Sequence, residues 1–217
     1  MSKARKTAWV VALTTPLVLG PVWVALLGRT DPRPFVGTLL GLVAVLLLAV
    51  CTVTDLRWRK IPNWATYSAV LWALGVNAAA LVADPGVLGA LGIARCVVGT
   101  VACFVLMLVV YEFSGGGAGD VKLAAALGSL LGVEQGVAAL IYSYLVAGVL
   151  LLAYAVWKLG PIYLGKTLGR KLGAFFLPTL IDAPAGEAAR LLQQPIPLSL
   201  FFALGTLPVL LGWDLRW

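Results

Sequence analysis

The chain has 217 residues, 61% hydrophobic and 12% charged, with a mean hydropathy of +1.00, which excludes an ordinary soluble domain and predicts an all-α polytopic membrane protein. It contains no histidine, which removes Ser-His-Asp catalysis, Cys-His catalysis and the common zinc sites. The net charge of +7 reads, from its distribution along the chain, as membrane topology rather than nucleic-acid binding.

Seven apolar segments can be drawn: 8–27, 35–54, 64–83, 96–113, 121–133, 137–157 and 197–213. Most approach the roughly 20 helical residues that cross a bilayer core. The first follows Lys3, Arg5 and Lys6 as a secretory signal would, but it is too long for a signal core and no small-x-small cleavage site follows it. It is predicted to be an uncleaved span. With the N-terminus in the cytoplasm, 12 of the 16 Lys and Arg residues fall inside and Arg29, Arg33, Arg95 and Arg216 fall outside. That is the asymmetry expected of a seven-span arrangement.

The fifth segment is short, covering roughly 20 Å at 1.5 Å per residue. A helix that falls short of the membrane is tolerated where it lines a wet or protein-walled cavity. Residues 158–196 form a different kind of stretch, in which Tyr163, Phe175 and Phe176 are mixed with Lys166, Arg170 and Lys171. A basic, aromatic-bearing amphipathic stretch predicts an insert lying in the cytoplasmic interface, as an anchor or a substrate dock. Residues 1–217 are otherwise expected to form a single membrane domain. Cys51, Cys96 and Cys103 make no Cys-x-x-Cys pair and read as small buried thiols.

Two aspartates stand out. Asp55 closes one apolar run and opens Leu56-Arg57-Trp58-Arg59-Lys60-Ile61-Pro62-Asn63; Asp120 closes Ser114-Gly115-Gly116-Gly117-Ala118-Gly119. The predicted topology puts both on the cytoplasmic side. A carboxylate at the hydrocarbon edge is costly unless solvated, paired or protonated, so each is a functional candidate. Two facing carboxylates cannot both ionise cheaply, and such a pair can supply a base for water and an acid for the leaving group without histidine or metal. Plainer readings compete. Asp120 is placed to cap the fifth helix, and Asp55 could cap or pair with the basic turn that follows it. A pair of charges beside broken helices would also suit a small secondary transporter, and a non-catalytic membrane assembly factor is a further alternative.

The flanking residues bear on that choice. Gly117-Ala118-Gly119-Asp120 matches the Gly-x-Gly-Asp signature of intramembrane aspartyl proteases, and Val121-Lys122-Leu123 extends it as in prepilin peptidases. Asp55 with Arg59-Lys60-Ile61-Pro62-Asn63 resembles the first-aspartate motif of the same family, and Pro197–Gly205 resembles its final membrane segment. Over roughly residues 40–157 and 197–213 the chain therefore resembles the type IV prepilin leader peptidases. The resemblance implies an aspartic-type endopeptidase of the bacterial or archaeal cytoplasmic membrane, serving pilus assembly and protein secretion. Its substrates would be prepilin-like membrane proteins, from which it removes a basic leader. It also implies a catalytic dyad of Asp55 and Asp120, with no cofactor and no metal. Larger members carry a paired-cysteine region associated with N-methylation; these residues contain none, and so resemble the compact forms linked to tight-adherence pili.

Around the dyad, Gly117 and Gly119 either shape the approach of substrate to Asp120 or simply form a turn. Lys122 either biases the dyad or anchors at the interface. Glu112 is placed to meet a basic leader, to pair with Lys122 or to face water. Pro62 and Asn63 are expected to start the third helix.

Overall fold

The computed structural model describes residues 8, 11, 12, 14, 15, 35–83, 92–114, 117–160 and 197–212. Most of the first expected span, and the 158–196 insert beyond residue 160, lie outside the described residues. Among the described residues the elements are helices: α1 (Phe35–Trp58), α2 (Asn63–Ala83), α3 (Ile93–Ser114), α4 (Ala118–Leu159) and α5 (Leu198–Leu210). Four stretches are long and apolar enough to cross a membrane: Val36–Trp58, Asn63–Val82, Ile93–Phe113 and Ala118–Lys158. The protein is thus an all-α, multi-pass membrane protein.

The chain divides into two compact units, Met1–Tyr144 with Pro197–Trp217, and Leu145–Ile196. In the second, the described residues are the end of α4, where the rings of Tyr154 and Trp157 lie 6.4 Å apart.

In the first unit α1 is central, packing on α2 and α5, while α2 packs on α3. Leu40, Ala44, Leu47 and Cys51 of α1 are buried against a core that also holds Ala69, Ala73, Cys103, Met107, Leu127 and Phe202. The outer faces are equally apolar. Val97, Val98, Val101, Phe104 and Val105 of α3 are exposed, a surface that lipid tails can cover and water cannot. Since lipid is as apolar as leucine, the helices are held together by close packing and buried hydrogen bonds rather than by hydrophobic burial.

The expected short fifth segment is the first arm of α4. Gly132 interrupts the helix with φ 80° and ψ −177°, a conformation that is essentially restricted to glycine. A Cβ on Gly136 would lie 3.1 Å from the Cα of Gly128, whereas residues eight apart in a continuous helix are separated by about 12 Å. The chain therefore folds back at Gly132, and α4 is a helical hairpin. The sequence pattern places this break two residues later, where Glu134 and Gln135 interrupt the apolar run. Both are exposed in the structure, just past the reversal.

Glycine also sets how closely the hairpin meets α3. A Cβ on Gly99 would collide with the Gly128 carbonyl, and one on Gly128 would come within 2.8 Å of the Cys103 side chain. Gly205 of α5 meets the backbone of Ser143 in the same way. At the same end of the unit as the reversal, the fully buried Asn77 of α2 donates to the Ala73 carbonyl at 2.7 Å and accepts the Gly92 N–H at 3.0 Å. This ties α2 to the start of α3 and satisfies a buried amide that would otherwise be costly. The three cysteines are free and buried, as their composition predicts.

Candidate active site

The opposite end of the unit is polar and is built from helix ends. Residue Asp55 sits in the last turn of α1, whose Arg59 N–H bonds back to the Asp55 carbonyl at 2.8 Å. Arg59 itself adopts φ 50°, the left-handed conformation that ends many helices and that usually falls to glycine. The strain of placing a side chain there, about 1–2 kcal/mol, turns the chain sharply into Lys60, Ile61 and Pro62. Helix α2 then starts at Asn63, as the Pro-Asn pair predicts, with the Pro62 carbonyl accepting the Ala65 N–H at 3.1 Å.

Residue Asp120 lies in the first turn of α4. The helix begins at Ala118, so Asp120 is its third residue rather than its N-cap, and the simple capping role drawn from the sequence is corrected. Its backbone N–H bonds to the Gly117 carbonyl at 3.0 Å, and its carboxylate folds back to accept a hydrogen bond from the Gly117 backbone. A side chain at the third helical position reaching back over the helix start is half of a capping box. Asp120 is 8% exposed, whereas Asp55 is half-buried.

These two turns face each other across a cavity of about 380 Å³ lined by Asp55, Arg59, Lys60, Ile61, Gly117, Ala118, Gly119, Asp120 and Lys122. The structure thus brings together all five residues singled out from the sequence: Asp55, Asp120, Gly117, Gly119 and Lys122. The glycines have distinct reasons to be glycine. A Cβ on Gly119 would stand 3.1 Å from the Ile61 Cβ, and one on Gly117 would stand 3.1 Å from Asp120 Oδ2. The first lets the α1–α2 turn approach the start of α4. The second leaves room for the folded-back carboxylate. Lys122, half-buried, donates a 3.1 Å hydrogen bond to Asn63 Oδ1, so its partner is the start of α2 and not the exposed Glu112.

One contact was not foreseen. Ser199 Oγ, on α5, donates a 2.7 Å hydrogen bond to Asp55 Oδ2. The signal available in the sequence was a hydroxyl set in the otherwise apolar Leu198–Phe202. Just outside the cavity the Arg57 guanidinium lies 5.4 Å from the centre of the exposed Trp58 ring, a pairing suited to a membrane–water boundary.

Among the described residues no three His, Cys, Asp or Glu side chains cluster so as to hold a metal ion. The chemistry on offer is that of two carboxylates in unlike surroundings, one buried and one bound by a hydroxyl, within one cavity of about 380 Å³. The model of the type IV leader peptidase family matches residues 42–152, about half of the chain and inclusive of both aspartates. Neither a curated protein nor a solved structure gives a match. The two aspartates thus stand in one cavity within the matched segment, and the chain belongs to the type IV leader peptidase family.

Proposed function

We propose that the protein is an aspartic-type endopeptidase that removes the basic leader of type IV prepilin-like membrane proteins at the cytoplasmic face of a bacterial or archaeal membrane. The observation that carries this reading is that Asp55 and Asp120, from two separate motifs, line the same cavity. One carboxylate takes a proton from water as the water oxygen attacks the scissile carbonyl carbon. The other carboxyl donates its proton to the carbonyl oxygen. Collapse of the tetrahedral intermediate breaks the C–N bond; the proton removed from water passes to the leaving amine, and a hydroxyl proton of the intermediate returns to the other carboxylate as the carbonyl re-forms. Lys122, Arg59 and Lys60 bring positive charge to the cavity wall, and Gly117 and Gly119 keep the Asp120 turn open to an extended substrate.

The topology proposed with this activity has seven spans, the N-terminus in the cytoplasm, the α4 hairpin supplying spans five and six, and 158–196 as a cytoplasmic interfacial insert of a single membrane domain. Two lines of support meet here. The lysine and arginine distribution favours that orientation, and the ends of α1 and α4 that bear the aspartates belong to one end of the unit.

The test is cleavage of a prepilin-like substrate by purified Asp55→Asn and Asp120→Asn variants. Each is expected to lose nearly all activity while accumulating in the membrane like the parent. Full cleavage by either well-inserted variant would refute that residue's catalytic role.

A further inference from the structure

Helix α5 lies outside the segment that the family model matches, yet it supplies a group in direct contact with Asp55. Ser199 is fully buried and is the second residue of α5, whose N-cap, Pro197, makes no side-chain cap. A serine in the first turn of a helix ordinarily turns its hydroxyl onto nearby backbone. This one is directed across the unit to Asp55 Oδ2 at 2.7 Å, the favoured length for an O–H···O bond.

The backbone of Ser199 has a separate attachment. Thr52 Oγ1, one turn before Asp55 on α1, donates to the Ser199 carbonyl at 3.3 Å. The Thr52 bond joins α1 to α5 without touching the carboxylate. The Ser199 hydroxyl bond touches the carboxylate itself.

We propose that Ser199 is a positioning residue for the hydrolysis. Its hydroxyl fixes the Asp55 carboxylate through Oδ2 and leaves Oδ1 as the oxygen that exchanges a proton with the attacking water. This rests on the peptidase reading above. A carboxylate at the end of a helix, on the edge of a cavity, rotates freely unless a donor holds it, and productive geometry tolerates only about 0.5 Å and 10–20° of error. Removing the donor also leaves a partly buried carboxylate oxygen unsatisfied. The helix that closes the bundle would therefore complete the site from outside the two aspartate motifs.

The experiment compares Ser199→Ala, Ser199→Thr, Thr52→Val and Asp55→Asn as full-length proteins in lipid vesicles with a prepilin-like substrate. Ser199→Ala is expected to lower kcat about tenfold with KM within about twofold of the parent, since substrate binding does not involve Oδ2. Ser199→Thr keeps the hydroxyl and is expected to retain at least about a third of the parent kcat. Thr52→Val is expected to cleave like the parent. Parent-like kcat in Ser199→Ala would overturn the proposal, as would an equal loss in Ser199→Thr or in Thr52→Val, either of which would make Ser199 a helix-packing residue. The Asp55→Asn control separates the two levels. Absence of cleavage by the parent removes the peptidase reading itself, full cleavage by Asp55→Asn removes the catalytic role of Asp55, and loss in Asp55→Asn beside an unimpaired Ser199→Ala removes the role of Ser199 alone.

Discussion

The two ends of the first unit solve opposite problems. At the Gly132 end the chain brings backbone against backbone: Gly99 meets Gly128, and Gly136 comes back over Gly128. Its buried amide, Asn77, has both its donor and its acceptor paired. At the aspartate end, the last turn of α1, the Arg59–Ile61 turn and the first turn of α4 line a cavity, Arg59 holds a strained φ of 50°, and Asp120 is buried at 8% exposure. Glycine serves both ends, for reasons that differ. At one end it removes side chains so that helices can touch. At the other it removes them so that a carboxylate and a turn can share space around a void. Stability is thus expected to reside at the first end and chemistry at the second, because close packing tolerates no added volume while a reactive pair requires space.

The largest effect expected to sharpen this contrast comes from the aspartates. Asp55→Asn and Asp120→Asn should each reduce kcat by about a thousandfold or more, and the double variant should lose little beyond either single one, as residues acting as a unit do. Thermal unfolding in detergent should barely change, because asparagine keeps the size of the side chain. A profile of cleavage against pH should be bell-shaped in the parent, since both carboxyls must be in defined states; a monotonic profile would count against the pair.

At the other end, Gly128→Leu should do the reverse. The added side chain has no place between the Gly99 carbonyl and Cys103, and cores forced to accept extra carbons lose about 1–3 kcal/mol or more. Membrane accumulation and melting temperature should fall, with activity falling only in proportion to folded protein. Gly132→Ala should follow the same pattern, since its φ and ψ cost a side chain on the order of 1–3 kcal/mol. A well-folded but inactive Gly132→Ala would break the division between the two ends.

A gentler probe labels the ends from either side of the membrane. In a background lacking Cys51, Cys96 and Cys103, a cysteine at Asn63 should react with cytoplasmic reagent, and one at Glu134, just past the reversal, should react from outside. Labelling of both from one side would show that the first arm of α4 does not cross.

The smallest effect is expected at Arg59. Arg59→Gly relieves the left-handed strain and should raise stability by up to about 1 kcal/mol, while the loss of a cation from the cavity wall should lower cleavage a few-fold. Those opposite signs in one variant would place strain and function at the same residue.

Much of this arrangement was legible in the chain. The apolar runs announced helices, since a segment without charges has few alternatives in lipid. The Pro62-Asn63 step announced a helix start, and the Gly-x-Gly-Asp and Asp55 motifs announced residues that meet in one cavity. The boundaries of the expected spans agree with α1, α2 and α3 to within a few residues at each end. Hydropathy could locate the interruption in α4 only by its polar residues, and so favoured Glu134 over Gly132. A reversal is a matter of φ and ψ, and glycine permits that conformation without demanding it.

Composition and periodicity by themselves determined that this protein lies in a membrane, that it is helical, and that charge at Asp55 and Asp120 sits where it is costly unless solvated, paired or protonated. Those conclusions follow from local quantities: the solvation cost of each side chain and the backbone freedom of each residue. Tertiary structure alone decided that Ser199, 144 residues beyond Asp55, would be its hydrogen-bond partner, that Lys122 would turn to Asn63, and that Ile61 would pack closely against Gly119. Such pairings depend on how helix ends meet across the bundle, and no energy carried by one residue or its neighbours in sequence specifies them.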